Sequence, residues 1–115
     1  MDIATAERAL ALLVAQQSGL ETVCGGGEFP EAPAVARVRF VSVEPAGSTL
    51  ANGVAEVRGC FAEPGESRAF ADAVWGTLPR YGTAGFAELA AEGGVEFSEH
   101  RGFFIAAGRV RARFA

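Results

Sequence analysis

The stretch FFIAAGRVRARFA, residues 103–115, decides the fold. Phe104, Ala106, Gly108, Val110, Ala112 and Phe114 fall on one side of a two-residue repeat, and Ile105, Ala107, Arg109, Arg111 and Arg113 on the other. A period of two is the signature of a strand with one buried face. The segment therefore reads as a strand whose inner face is core and whose outer face carries three arginines in succession. Same-face neighbours along a strand repeat every ~7 Å, so the arginines form a comb.

Working back from that strand, residues 95–99 alternate in the same way, and the two runs read as a hairpin turning around residues 100–102. Residues 86–92 (FAELAAE) are expected to form a short helix stopped by Gly93. Residues 80–85 read as a loop holding the only tyrosine, Tyr81. Upstream, Phe70, Val74 and Leu78 recur four apart with Ala71 and Trp75 beside them, which predicts a helix over 65–78. Pro64 lies close to its first turn and Pro79 stops it. Two further strands are expected over 35–44 and 54–62. In the first, Val38 and Phe40 alternate with Arg37 and Arg39, then Val41 and Val43 shift face, which fits a bulge. In the second, Ala55, Val57, Gly59 and Phe61 oppose Glu56, Arg58 and Cys60. The pair Asn52-Gly53 reads as the turn of the loop 45–53 that joins them. At the start, Ile3, Ala6, Leu10, Leu13, Val14 and Gln17 give an apolar stripe over 4–18, with Asp2 or Thr5 as the cap and Gly19 as the stop. Residues 20–24 form a short strand, and GGGEFPEAP (25–33) is irregular.

The order helix, strand, strand, helix, strand, strand predicts an α+β fold. Its sheet is antiparallel and twisted, with about four to five strands, and two main helices pack on one face. With 115 residues, half of them apolar, one domain over 1–115 with no linker is expected. The formal net charge of −4 disfavours a nucleic-acid binder. All ten basic residues are arginine, which with 23 alanines and 15 glycines matches GC-rich coding. No signal peptide is expected behind Asp2, and the apolar run at 10–15 cannot span a bilayer. Cys24 and Cys60 read as free thiols.

Residues suited to catalysis are sparse. Gly25, Gly26 and Gly27 lead into Glu28, Phe29 and Pro30, without the lysine and hydroxyl of a phosphate loop. His100 stands alone at a turn, and one histidine with two scattered cysteines makes no metal-ligand spacing. Glu88 and Glu92, one turn apart on the expected helix, lie on a solvated face. No enzyme activity, cofactor or metal is therefore expected. The arginine combs, Arg37 with Arg39 and Arg109 with Arg111 and Arg113, leave two readings open. They pair across strands with Glu56, Glu96 or Glu99, or they meet acids on a neighbouring subunit, such as the loop residues Glu28 and Glu31 with Phe29 between them.

The layout resembles the tail-terminator or tail-completion proteins of long-tailed bacteriophages, together with the related small minor capsid and head–tail joining proteins. The resemblance runs through VARVRFVSVEP (35–45), GVAEVRGCFA (53–62), ESRAFADAVWGTLP (66–79), VEFSEH (95–100) and FFIAAGRVRARFA. The span GVAEVRGCFAEPGESRAFADAVWGTL, with its A-x-x-V-W-x-x-L helix, carries most of it. The resemblance implies a non-enzymatic virion protein, made in the host cytoplasm and built into the tail or the head–tail junction. There it forms a homo-oligomeric ring, hexameric in the family, that ends the tail tube and meets the neck. DNA passes only in transit through the lumen, and no membrane is involved. Two other classes fit the composition: a small-molecule binding or regulatory α+β module using Phe86, Trp75 and Tyr81, and a thiol enzyme using Cys24 or Cys60.

Overall fold

The computed structural model describes residues 1–26, 33–47, 49–78 and 85–115. Its elements are α1 (Ile3–Ser18), β1 (Glu21–Cys24), β2 (Val35–Pro45), β3 (Ala51–Phe61), α2 (Pro64–Trp75), β4 (Glu88–His100) and β5 (Phe103–Phe114). The strands form one sheet in the order β1-β2-β3-β5-β4. The α+β class and the element order expected from the sequence both hold.

α1 starts where Asp2 accepts a hydrogen bond from the Thr5 backbone N–H at 2.7 Å. Hydrogen bonding from the Thr5 side chain, then from its backbone N–H, reinforced by Arg8 and the N-terminal ammonium, holds the Asp2 carboxyl below the usual carboxylate range. The helix ends at Gly19, whose left-handed backbone (φ 74°) brings its N–H to the Ala15 carbonyl. Ala6, Leu10, Leu13 and Val14 are buried as the stripe requires, whereas Ile3 is 51% exposed and lies off it. In α2 the expected face is the buried one: Phe70, Ala71 and Val74, continued by Leu78 just beyond the helix. α1 packs on β1 and β2, α2 on β3 and β5, and the two helices touch. Both therefore cover one side of the sheet, against Ala36, Val38, Ala55, Val57, Ala106, Val110, Ala112 and Phe114.

Three expectations are corrected. First, the sheet is mixed, not purely antiparallel, because β1 pairs parallel with β2 from Glu21↔Val35 to Cys24↔Val38. The antiparallel rule assumes a tight turn, and the connection across residues 25–34 is long enough to return the chain to the same end. Second, Asn52-Gly53 is not a turn. Asn52 pairs with Glu44 and Gly53 with Val43 inside the β2–β3 ladder, and the chain reverses between Ala46 and Leu50, where the Ala46 N–H meets the Leu50 carbonyl at 2.8 Å. Third, residues 86–92 are not a helix. Glu88 to Glu92 pair with Arg113 to Arg109 of β5, and Leu89 is buried in the core. Tertiary pairing overrides the helix propensity of an alanine-rich segment.

The bulge expected in β2 is present between Phe40 and Ser42. It lets Phe40 and Val43, three residues apart, both pack against the core. β4 holds a larger one between Glu92 and Glu96. There β4 places three residues opposite the single Gly108, and the two extra residues leave the parity of the faces unchanged. Gly93, at φ 72°, takes the left-handed conformation this detour needs. Beyond it, Phe97 is partly exposed on the helix side and carries the Arg68 guanidinium 4.7 Å from its ring centre.

One buried-edge contact was not legible in the sequence. The pairing of β1 with β2 runs out at Val38, whose carbonyl accepts from Gly25 at 3.1 Å. The next edge donor, the Phe40 N–H, is taken by the Glu7 carboxylate of α1 at 2.9 Å. Glu7→Ala is expected to cost about 1.5 kcal/mol, because a part-buried donor loses a charged acceptor. Urea denaturation measures this, and an unchanged midpoint would mean that water replaces the carboxylate.

Candidate functional site: the open face of the sheet

Among the described residues, no helix packs on the side of the sheet opposite α1 and α2. Strand parity decides what lies there. β2 contributes Arg37 and Arg39, β3 contributes Glu56 and Arg58, β5 contributes Arg109, Arg111 and Arg113, and β4 contributes Glu88, Glu92 and Glu96. The two arginine combs, far apart in sequence, thus share one surface. Register brings Arg39, Glu56, Arg109 and Glu92 into a single row across four strands, with alternating charge.

Part of this surface pairs within the chain. Glu56 Oε1 lies 3.3 Å from Arg37 Nη2 and 3.6 Å from Arg39 Nε. Arg37 is only 5% exposed, so its partner matters, since stranding a buried guanidinium is costly. Arg113 Nε donates to Asn52 Oδ1 at 3.0 Å, and its Nη1 lies 3.9 Å from Glu88 Oε2. That last pair is exposed, and such pairs contribute about 0–1 kcal/mol. Of the cross-strand acids expected from the sequence, Glu56 fills the role. Glu96 and Glu99 have no arginine of the combs within 4 Å among the described residues, and Glu88 and Asn52 serve Arg113 instead. The alternation of β4 carries the signal for Glu88, but a helical reading of residues 86–92 hides it.

The remaining arms, Arg109 and Arg111, are exposed, and among the described residues neither has a carboxylate within 4 Å. Arg111 lies between Val54 and Ala90 in register, so no acid stands directly across from it. At the other end of the face the surface turns apolar, and Val35, Cys60 and Ile105 are buried in one row. Glu28, Phe29 and Glu31 lie outside the described residues, as does Tyr81.

The other candidate centres are scattered. His100 is exposed beside the β4–β5 turn. Cys24 is exposed in β1 and Cys60 buried in β3, and neither forms a disulfide. Phe86 is 1% exposed and packs edge-on against Phe114, with ring centres 6.1 Å apart. It belongs to the core. Trp75 stands edge-on to Phe70 and donates from Nε1 to the Arg109 carbonyl at 3.3 Å. The seam between the helices, lined by Leu13, Val14, Gln17, Val74, Thr77 and Leu78, has a hollow of about 10 Å³, room for one water. Among the described residues, no three His, Cys, Asp or Glu side chains converge to hold a metal, and no helix is long and apolar enough to cross a membrane.

No family model and no curated protein matches the chain. Its fold is similar to that of a chain in the solved virion of a native gene transfer agent particle, with a TM-score of 0.52 over 96% of both chains at 15% identity. At that identity the likeness is one of fold.

Proposed function

We propose that this chain is a structural subunit of a phage-derived particle, assembling with copies of itself into a ring that ends the tail tube and connects it to the neck. The observation that carries the reading is the fold likeness to a virion chain over nearly the full length of both proteins. The open face supports it. Among the described residues, both helices lie on one side of the sheet, and the other side, with its exposed arginines and carboxylates, is a contact surface whose register is set by charge. The function is assembly rather than catalysis, and it uses no cofactor and no membrane. DNA meets the subunit only in passing through the lumen, which fits a net charge of −4. The interface draws on the outer-face arginines, with Arg109, Arg111 and Arg113 the most accessible and Arg37 and Arg39 tied to Glu56. Glu28, Phe29 and Glu31 remain candidates for the neighbouring side of that contact.

Negative-stain electron microscopy and native mass spectrometry of the concentrated protein test this. Closed rings of fixed copy number are expected, and their symmetry is read directly. A single copy at every attainable concentration would count against the ring and favour a small-ligand module, whose signature is a ligand-induced rise in Tm.

A further inference from the structure

The open face is bipolar. Glu56, Glu92 and Glu96 line one hollow with Arg109 as its single base, while Asn52, Glu88, Arg111 and Arg113 line a second. Arg37 and Arg39 already hold Glu56, so the first has two further carboxylates to one guanidinium, and the second has two guanidinium groups to one carboxylate. Glu92 and Glu96 flank the β4 bulge and are exposed, and among the described residues neither has a base within 4 Å, although Glu92 is in register with Arg109. The detour at Gly93 and Gly94 re-aims the strand at this point. Arg111 is the matching unspent base, with Val54 and Ala90 for neighbours. The net charge of −4 disfavours a nucleic acid as the occupant. A surface offering both signs in adjacent hollows fits another surface of the same kind.

We infer that the acidic hollow of one copy receives Arg111 of a second copy, so that Glu92 and Glu96 are the acceptors in the contact between subunits. The inference rests on the ring reading and names the pair within it. Both hollows lie on one face, so the contact closes either reciprocally, as a two-fold pair, or head to tail into a ring where the rotation allows.

Charge exchange tests it. Arg111→Glu gives a copy with acid on both patches, and the double variant Glu92→Arg, Glu96→Arg gives a copy with base on both. All three positions are exposed, so far-ultraviolet circular dichroism and Tm should stay at the wild-type values. Each variant alone is expected to weaken assembly about 10-fold or more, because like charges face each other. An equimolar mixture should assemble as alternating copies, detected by native mass spectrometry. If the wild type assembles and the variants assemble equally well, or the mixture fails to restore what each variant lost, the contact is wrong and the ring reading stands. If wild type and mixture both stop at two copies, the contact is upheld as a two-fold pair and the ring reading falls. A wild type that stays single at every concentration overturns both.

Discussion

Phe114→Ala should remove about 3–5 kcal/mol of stability, the range for deleting a fully buried aromatic ring. Phe114 ends β5, is 2% exposed, and joins two other rings: Phe40, centred 5.7 Å away and tilted, and Phe86, at 6.1 Å and edge-on. Phe40 arrives from β2 and Phe86 from the segment before β4, so the ring at Phe114 clamps both margins of the sheet beneath the helices. Alanine would leave a void, and both partners would lose their edge contacts. The loss is a large fraction of the roughly 5–15 kcal/mol that a domain of this size retains. Urea denaturation followed by circular dichroism gives the number, with Phe114→Leu as the control that keeps most of the volume and loses much less. A loss below about 1 kcal/mol for alanine would show that this end of the core collapses onto itself, and that the aromatic trio does not hold the margins.

Strand parity made most of this core readable. Alternation in residues 103–115 assigns Phe114 inward and Arg113 outward with no knowledge of its neighbours, and burial agrees. The same rule places Val57 and Phe61 inside, and Glu56 on the arginine side. It failed where propensity and pairing disagree. Residues 86–92 have the alanine content and the three-residue spacing of Phe86 and Leu89 that suit a helix, yet Leu89 is buried by pairing with β5. Nothing local in that segment encodes a partner that comes after it in the chain. Asn52-Gly53 failed for a related reason. The dipeptide favours a turn in isolation, but Asn52 is held in the strand by Glu44 across the ladder and by the Arg113 side chain.

The open face was legible in its parts and not in its assembly. Each comb can be seen in sequence, but that Arg39 and Arg109 flank the same Glu56 follows only from the order β2-β3-β5. The parallel entry of β1 was equally hidden, since its four residues carry no mark of direction. Glu7 shows the same limit in a single residue. On the helix it looks like any solvated acid, and its task as acceptor for the Phe40 N–H exists only because β1 stops short. Sequence patterns report which way a side chain faces; they do not report what faces it.

Gly59→Val is the second large expected effect, and it probes the other end of the core. Gly59 lies in β3 opposite Ala106 of β5 and Ala36 of β2, on the inner face. A Cβ there would stand 2.7 Å from Phe61 Cε2 and 3.0 Å from Phe70 Cδ2. Both rings are nearly fully buried, and they pack on each other with centres 5.2 Å apart. Neither can swing aside without displacing the other, and Phe70 also supports Trp75. Overpacking a filled site costs roughly 1–3 kcal/mol, and valine, with two methyls beyond that Cβ, belongs at the upper end. Gly59→Ala should cost less than valine, because it adds one methyl rather than three carbons, but that methyl alone stands 2.7 Å from Phe61 Cε2 and still forces the ring to shift. Near-ultraviolet circular dichroism should register the valine variant twice: as a lowered Tm, and as a changed aromatic signal in the native state as the Phe61–Phe70–Trp75 stack rearranges. A valine variant as stable as the parent, with the aromatic signal unchanged, would mean that the rings do not close over Gly59 as described.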